Sequence, residues 1–105
     1  MTQADIERIK EGFVATARRA DQAGYDMIEL HGAHGYLINQ FLEPQTNHRS
    51  DSYGGTLENR FRFLKEIIES IKAIFSKPIW VRLSVTAYDE TGVQNTLEDY
   101  QQIGR

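Results

Sequence analysis

The stretch Ile28-Glu29-Leu30-His31-Gly32-Ala33-His34-Gly35-Tyr36-Leu37 decides how this chain is read, because an apolar run breaks there into two histidines, two glycines and a tyrosine. Ile28 and Leu30 alternate with Met27, Glu29 and His31, the period of a β-strand, and the apolar residues suit a strand buried on both faces. The spacing predicts a strand from Met27 to His31, with His31 at its carboxyl end. In sheets built from strand-helix units, ligands collect beyond the carboxyl ends of the strands, where loops converge and the following helices point their N-termini. Three side chains able to handle protons, His31, His34 and Tyr36, therefore fall where a pocket belongs.

Upstream, Thr2 and Asp5 have the spacing of a capping box, and Ile6, Ile9, Phe13, Ala17 and Ala20 recur at helical intervals. A helix is predicted over about residues 4–23, with Gly24 where a left-handed cap needs a residue without Cβ. Downstream, residues 32–55 form a long connection containing Gly32, Gly35, Pro44, Asn47, Asp51, Gly54 and Gly55. Its apolar anchors Tyr36, Leu37, Ile38, Phe41, Leu42 and Tyr53 favour an active-site loop over disorder, with a short helix from Gly35 to Leu42. Thr56 caps a second helix whose Leu57, Phe61, Leu64, Ile67, Ile68, Ile71 and Phe75 share one face and which ends near Ser76, before Pro78. The second strand runs from Ile79 to Val85, with Ile79, Val81, Leu83 and Val85 on one side and Trp80, Arg82 and Ser84 on the other. After a loop holding Gly92, Asn95 and Glu98 form another cap-like pair, and a third helix is expected up to Arg105.

The chain has 105 residues, the size of one domain, and its 40% hydrophobic content is ordinary for a globular protein. A net charge of −3 with twelve scattered basic residues argues against a nucleic-acid or membrane-surface partner, although an anionic ligand could bind locally. The absence of cysteine removes disulfides, thiolate zinc sites and thiol catalysis, and fits a reducing cytoplasm. No apolar run approaches the roughly 20 residues of a membrane span, and the N-terminus has no secretory pattern. A soluble, cytoplasmic protein is expected. The order α-β-α-β-α, with two parallel strands whose outer edges stay unpaired, is a poor closed unit and is expected to be part of a larger parallel α/β domain.

Taken alone, His31 and His34 fit ordinary polar strand-end or loop residues, a metal pair or a substrate contact. No third ligand has diagnostic spacing and His48 sits apart in the loop, so no metal site is expected. Tyr36 alone fits a core aromatic with a satisfied hydroxyl. Arg82 is a permanent cation in a strand that otherwise reads as buried. It needs a partner, Glu29 on the neighbouring strand or an anionic ligand, because breaking a buried pair costs roughly 3 to 5 kcal/mol. Arg49, Asp51, Asn59, Arg60 and Arg62 read as scaffolding that ties glycine-rich backbone in place, and Trp80 reads as core.

Several elements recur together: Ala23-Gly24-Tyr25-Asp26 leading into Ile28-Glu29-Leu30-His31, then His34-Gly35-Tyr36-Leu37, Phe41-Leu42 and Pro44. Asn47, Arg49, Asp51, Tyr53-Gly54-Gly55, Glu58-Asn59-Arg60, Arg62-Phe63 and Val81-Arg82 follow in order. Over nearly the whole chain this pattern resembles the old yellow enzyme family of FMN-dependent oxidoreductases, (β/α)8 TIM barrels that reduce activated alkenes with NAD(P)H. The resemblance implies that residues 1–105 are a partial (β/α)8 barrel, a fragment of a single FMN-binding domain covering barrel strands four and five. It implies that His31 and His34 bind the substrate carbonyl oxygen, that Tyr36 is the catalytic proton donor to the alkene carbon, and that Arg82 binds the flavin cofactor. Other branches carry asparagine at the second histidine position, so His34 points to the paired-histidine branch.

These roles are chemically coherent. Hydride enters the β carbon of an unsaturated carbonyl only if the oxygen can take up the developing enolate charge. Two imidazole donors converging on it supply stabilisation of about 3 kcal/mol each. A tyrosine phenol, with an ordinary pKa of about 10, is protonated at neutral pH and so available as an acid. The expected parent is therefore an FMN-dependent NAD(P)H oxidoreductase acting on small α,β-unsaturated carbonyl compounds, assembled as a homo-oligomer. A second reading is a dienoyl-CoA reductase-like or amine dehydrogenase-like relative with further domains and an iron-sulfur cluster. A third is that the 105-residue chain alone is a catalytically inert fragment, holding no FMN and associating through its exposed strands.

Overall fold

Thr2 opens the first helix through a reciprocal pair of hydrogen bonds: the Asp5 amide donates to Thr2 Oγ1 at 3.2 Å, and the Thr2 amide donates to Asp5 Oδ2 at 3.0 Å. Such a cap is worth about 1 kcal/mol. Helix α1 then spans Gln3–Gln22. It stops because Gly24 turns left-handed at φ 84°, with the Gly24 amide donating to Asp21 O and the Tyr25 amide to Ala20 O, both at 3.1 Å. That pair satisfies two terminal carbonyls as in a Schellman motif. This computed structural model describes residues 1–83. Ser84 and Val85 of the expected second strand, the Gly92 loop, the Asn95/Glu98 pair and the third helix lie outside the described residues.

Strand β1 (Ile28–Gly32), helix α2 (Leu37–Leu42), helix α3 (Leu57–Lys72) and strand β2 (Ile79–Leu83) follow in order. The two strands are neighbours in one parallel sheet. Thr56 caps α3 as its position predicts, accepting from the Asn59 amide at 3.2 Å. The helix ends at Lys72 rather than near Ser76, because the chain tightens into a turn in which the Ile74 and Phe75 amides both donate to Ile71 O. That turn keeps Phe75 buried.

Two compact units share the chain. The first comprises Met1–Leu30 and Leu64–Val81, and its core is Ile6, Ala17, Leu30, Leu64, Ile67, Ile71 and Phe75. Burying each large apolar side chain contributes about 1.5 to 3 kcal/mol. Lys10 bridges its helices, with Nζ 3.1 Å from Glu66 Oε1 and 2.9 Å from Glu7 Oε1. Strand pairing begins there, the Ile28 amide donating to Pro78 O at 3.1 Å. The second unit runs from His31 to Phe63 and takes in Arg82 and Leu83; its core is Ala33, Ile38, Phe41, Leu42, Tyr53 and Phe63. The rings of Phe41 and Phe63 lie 4.5 Å apart at its centre.

Each strand alternates strictly. In β1, Leu30 and Gly32 are buried while Glu29 and His31 are exposed; in β2, Ile79, Val81 and Leu83 are half-buried while Trp80 and Arg82 are exposed. The expectation of strands buried on both faces is thus corrected to burial on one. Trp80, expected in the core, is 60% exposed, and the Arg82 guanidinium keeps its hydration and needs no buried partner. The physical reason is that Glu29, His31 and Arg82 carry polar or charged groups that are costly to bury unpaired, so the side of each strand that bears them stays hydrated while the other packs. None of the described helices is long and apolar enough to cross a membrane.

Gly54 is buried with no room for a side chain: a Cβ there would lie 2.7 Å from Arg49 Cβ and 2.8 Å from the Arg49 carbonyl carbon. Backbone cannot swing aside as a flexible side chain can, so Gly54→Ala should destabilise by about 1 to 3 kcal/mol. A urea unfolding midpoint equal to that of the wild type would contradict this packing.

Candidate active site

At the end of β1 the chain must leave the sheet and bring three polar rings to one place. Gly32 makes the departure possible: a Cβ would come within 3.1 Å of the Arg82 carbonyl oxygen and 3.2 Å of both Ile38 Cγ2 and Leu83 Cδ2. Two residues later the backbone reverses. His34 (φ 59°) and Gly35 (φ 77°) are consecutive left-handed residues, and the Tyr36 amide closes the turn onto Ala33 O at 3.3 Å. Positive φ at both central positions is the pattern of a type I′ turn. Glycine adopts it freely, whereas the histidine carries a cost of about 1 to 2 kcal/mol. Tyr36 then leads into α2, its carbonyl accepting from the Gln40 amide at 2.9 Å.

The result is a cluster. The His31 ring lies 5.4 Å from that of His34 and 5.1 Å from that of Tyr36, tilted by 57° and 49°. All three residues are exposed, Tyr36 by 64%. Such rings, side by side and open to solvent, can donate hydrogen bonds to one oxygen or release a proton to a bound molecule. The three residues singled out from the sequence are therefore brought together. Arg82, exposed on β2, is not joined to them by a hydrogen bond or ring contact among the described residues. Nor is there a group of three or more metal-ligating side chains among those residues.

The long connection behind the cluster is tied by side chains to backbone. Asn47 Nδ2 donates to both Phe41 O (2.7 Å) and Tyr53 O (2.8 Å), and its Oδ1 accepts the Arg49 amide at 3.1 Å. Arg60 reaches Leu42 O and Gly55 O, Arg62 reaches Ser52 O, and Asn59 reaches Gly54 O. Arg49 forks onto Asp51, with Nη2 2.6 Å from Oδ2, and stands over the Phe41 ring with Cζ 5.9 Å from its centroid. The scaffolding role read for these residues is what the structure contains. Two residues had no assigned role in the sequence: Asn39 and Gln40, whose side chains bond the Gly35 backbone. An amide four and five residues after a glycine turn is the signal that could have found them.

With this geometry in hand, the chain belongs to the NADH:flavin oxidoreductase / NADH oxidase family, whose model matches residues 1–103. Among its relatives, an NADPH dehydrogenase of Geobacillus sp. (strain WCH70) is 52% identical over 100 residues, covering 95% of this chain and 29% of that protein. The chain thus spans under a third of the curated relative's length. Among solved structures, the old yellow enzyme homologue from Zymomonas mobilis superposes with a TM-score of 0.83 at 38% identity, covering 94% of this chain and 28% of that one. A 2-naphthoyl-CoA reductase superposes with a TM-score of 0.92 at 39% identity, covering 98% of this chain and 16% of that one. These neighbours are (β/α)8 barrel enzymes, and the present α/β chain with its two parallel strands is a partial version of that fold.

The loop carries its own pH dependence. The Arg49 fork, joined by the Tyr53 amide donating to Oδ1 at 3.0 Å, holds the Asp51 carboxyl below its ordinary value of 3.8. A carboxyl lowered in the folded state stabilises above its unfolded pKa, and the contribution disappears as pH falls through the folded pKa. Asp51→Asn should therefore be less stable than the wild type at neutral pH, with the gap closing below the ordinary carboxylate range. A gap that persists undiminished in acid would remove Asp51 ionisation as its cause.

Proposed function

We propose that this chain forms the substrate-facing rim of an FMN-dependent NAD(P)H oxidoreductase that reduces the C=C bond of α,β-unsaturated carbonyl compounds. The observation that carries the reading is the gathering of the His34 and Tyr36 rings within 5.4 Å of the His31 ring at the carboxyl end of β1. Family membership supports the flavin, and the NADPH dehydrogenase relative supports the reductant. Residues 1–105 would be part of one FMN-binding (β/α)8 domain. The donor chemistry fits the cofactor: Arg82 is an exposed permanent cation on β2, suited to an anionic flavin edge. When bound, the flavin supplies the hydride.

The chain's own residues supply the rest. His31 and His34 donate to the carbonyl oxygen and take up the charge that develops on it, each worth about 3 kcal/mol. Tyr36 holds its phenolic proton for the carbon next to the carbonyl. Its exposure leaves the hydroxyl free to meet a small substrate rather than bury it in a core. The substrate is a small molecule; neither nucleic acid nor membrane is a partner in this reading, which places the enzyme in the cytoplasm as a homo-oligomer.

A second reading is a dienoyl-CoA reductase-like or amine dehydrogenase-like relative, and one observation favours its CoA branch, the TM-score of 0.92 to the 2-naphthoyl-CoA reductase. Iron-sulfur absorption in the full-length protein, together with turnover of CoA thioesters in place of free enones, would favour it.

In the full-length protein, Tyr36→Phe should slow reoxidation of the reduced flavin by an enone by about 100-fold or more, while leaving flavin reduction by NADPH unchanged. Equal slowing of the two half-reactions would sink the proton-donor role. The isolated 105-residue chain should purify colourless and self-associate; a yellow, monomeric, NADPH-oxidising preparation would refute that.

A further inference from the structure

The turn that carries His34 and Tyr36 is conformationally demanding at its centre. Its two central residues are both left-handed, one of them is not glycine, and the bond that closes it is long at 3.3 Å. A backbone in this region persists only where the surroundings over-determine it. Two side chains from α2 do so. The Gly35 amide donates to Asn39 Oδ1 at 2.8 Å, and Gln40 Nε2 donates to the Gly35 carbonyl at 2.9 Å. The first bond fixes the peptide that joins His34 to Gly35, and the second fixes the peptide that joins Gly35 to Tyr36. The peptide groups attached to both ring-bearing residues are therefore pinned by adjacent amides.

The two amides differ in weight. Gln40 is exposed, so water competes for its bond, whereas Asn39 is 6% exposed. Asn39 sits on α2 between Ile38 and Phe41, both buried, which fix the helix and so the amide. Its Nδ2 is also buried, with no hydrogen-bond partner among the described residues. Placing an amide where half of it goes unpaired is costly, and an apolar residue of like size would avoid that cost. The side-chain oxygen is the part that acts.

From this we infer that Asn39 is a positioning residue: its carbonyl oxygen sets the His34–Gly35 peptide, and through it the approach of the His34 and Tyr36 rings to His31. Gln40 assists from the solvent side. The kinetic consequence rests on the proposed enone reduction; the structural one does not.

Both are tested in the full-length, FMN-loaded protein. Amide exchange at Gly35, read by fragmentation mass spectrometry, should be protected in the wild type, unprotected in Asn39→Ala and protected again in Asn39→Asp, which keeps an acceptor oxygen. In Asn39→Ala, flavin reoxidation by cyclohexenone should slow by about 10- to 100-fold with a raised KM, while flavin reduction by NADPH is unchanged. Asn39→Asp should recover most of that loss. A Gly35 amide that exchanges freely in the wild type overturns the inference without any variant, as does protection that survives in Asn39→Ala. Equal slowing of both half-reactions would mark Asn39 as merely structural and overturn it too. If the wild type fails to reduce cyclohexenone, the proposed function falls, and Gly35 exchange still decides the role of Asn39.

Discussion

The reversal of the backbone at His34 and Gly35 is the constraint on which the rest of this chain depends. A strand ending in His31 can present its last side chain to solvent, but it cannot by itself return a second and a third ring to the same place. That takes a turn within four residues, and two consecutive positive φ angles close one that leaves Tyr36 at the start of a helix. Gly32 lets the strand run close against the Arg82 carbonyl before the turn, and Gly35 takes the conformation that a side chain resists. The histidine between them bears the cost. Residues of this kind gather where geometry is specified more tightly than stability alone would require.

Behind the turn, the connection to α3 solves a different problem. Residues 43–56 carry no strand or helix of their own, so their backbone groups have no ladder to join. Asn47, Asn59, Arg60 and Arg62 stand in for the ladder by donating to carbonyls at the end of α2 and along the segment itself. Guanidinium and amide groups suit the task because each can reach two acceptors at once, as Asn47 and Arg60 both do. The polar content of this loop is its internal skeleton.

What could be read from the sequence was what depends on near neighbours. The Thr2/Asp5 box, the left-handed Gly24 and the Thr56 cap are decided within four residues, and each is found where the spacing puts it. The gathering of His31, His34 and Tyr36 was legible because strand, turn and helix follow one another without a break. Trp80 and Arg82 were misread as buried because their surroundings depend on what covers the second face of β2, and no period of two encodes that. Asn39 escaped notice for another reason. A buried amide on a short helix looks like an ordinary polar residue until the turn facing it is known to offer an unpaired amide proton.

Trp80 offers a further consequence. It is the only indole in the sequence, and it stands on the same strand and the same side as Arg82. Its emission is therefore a built-in optical gauge of whatever comes to lie against that side of β2. Water contact holds the fluorescence at long wavelength, apolar cover would shift it to the blue, and a nearby isoalloxazine would quench it. No label needs to be introduced to follow that face being covered.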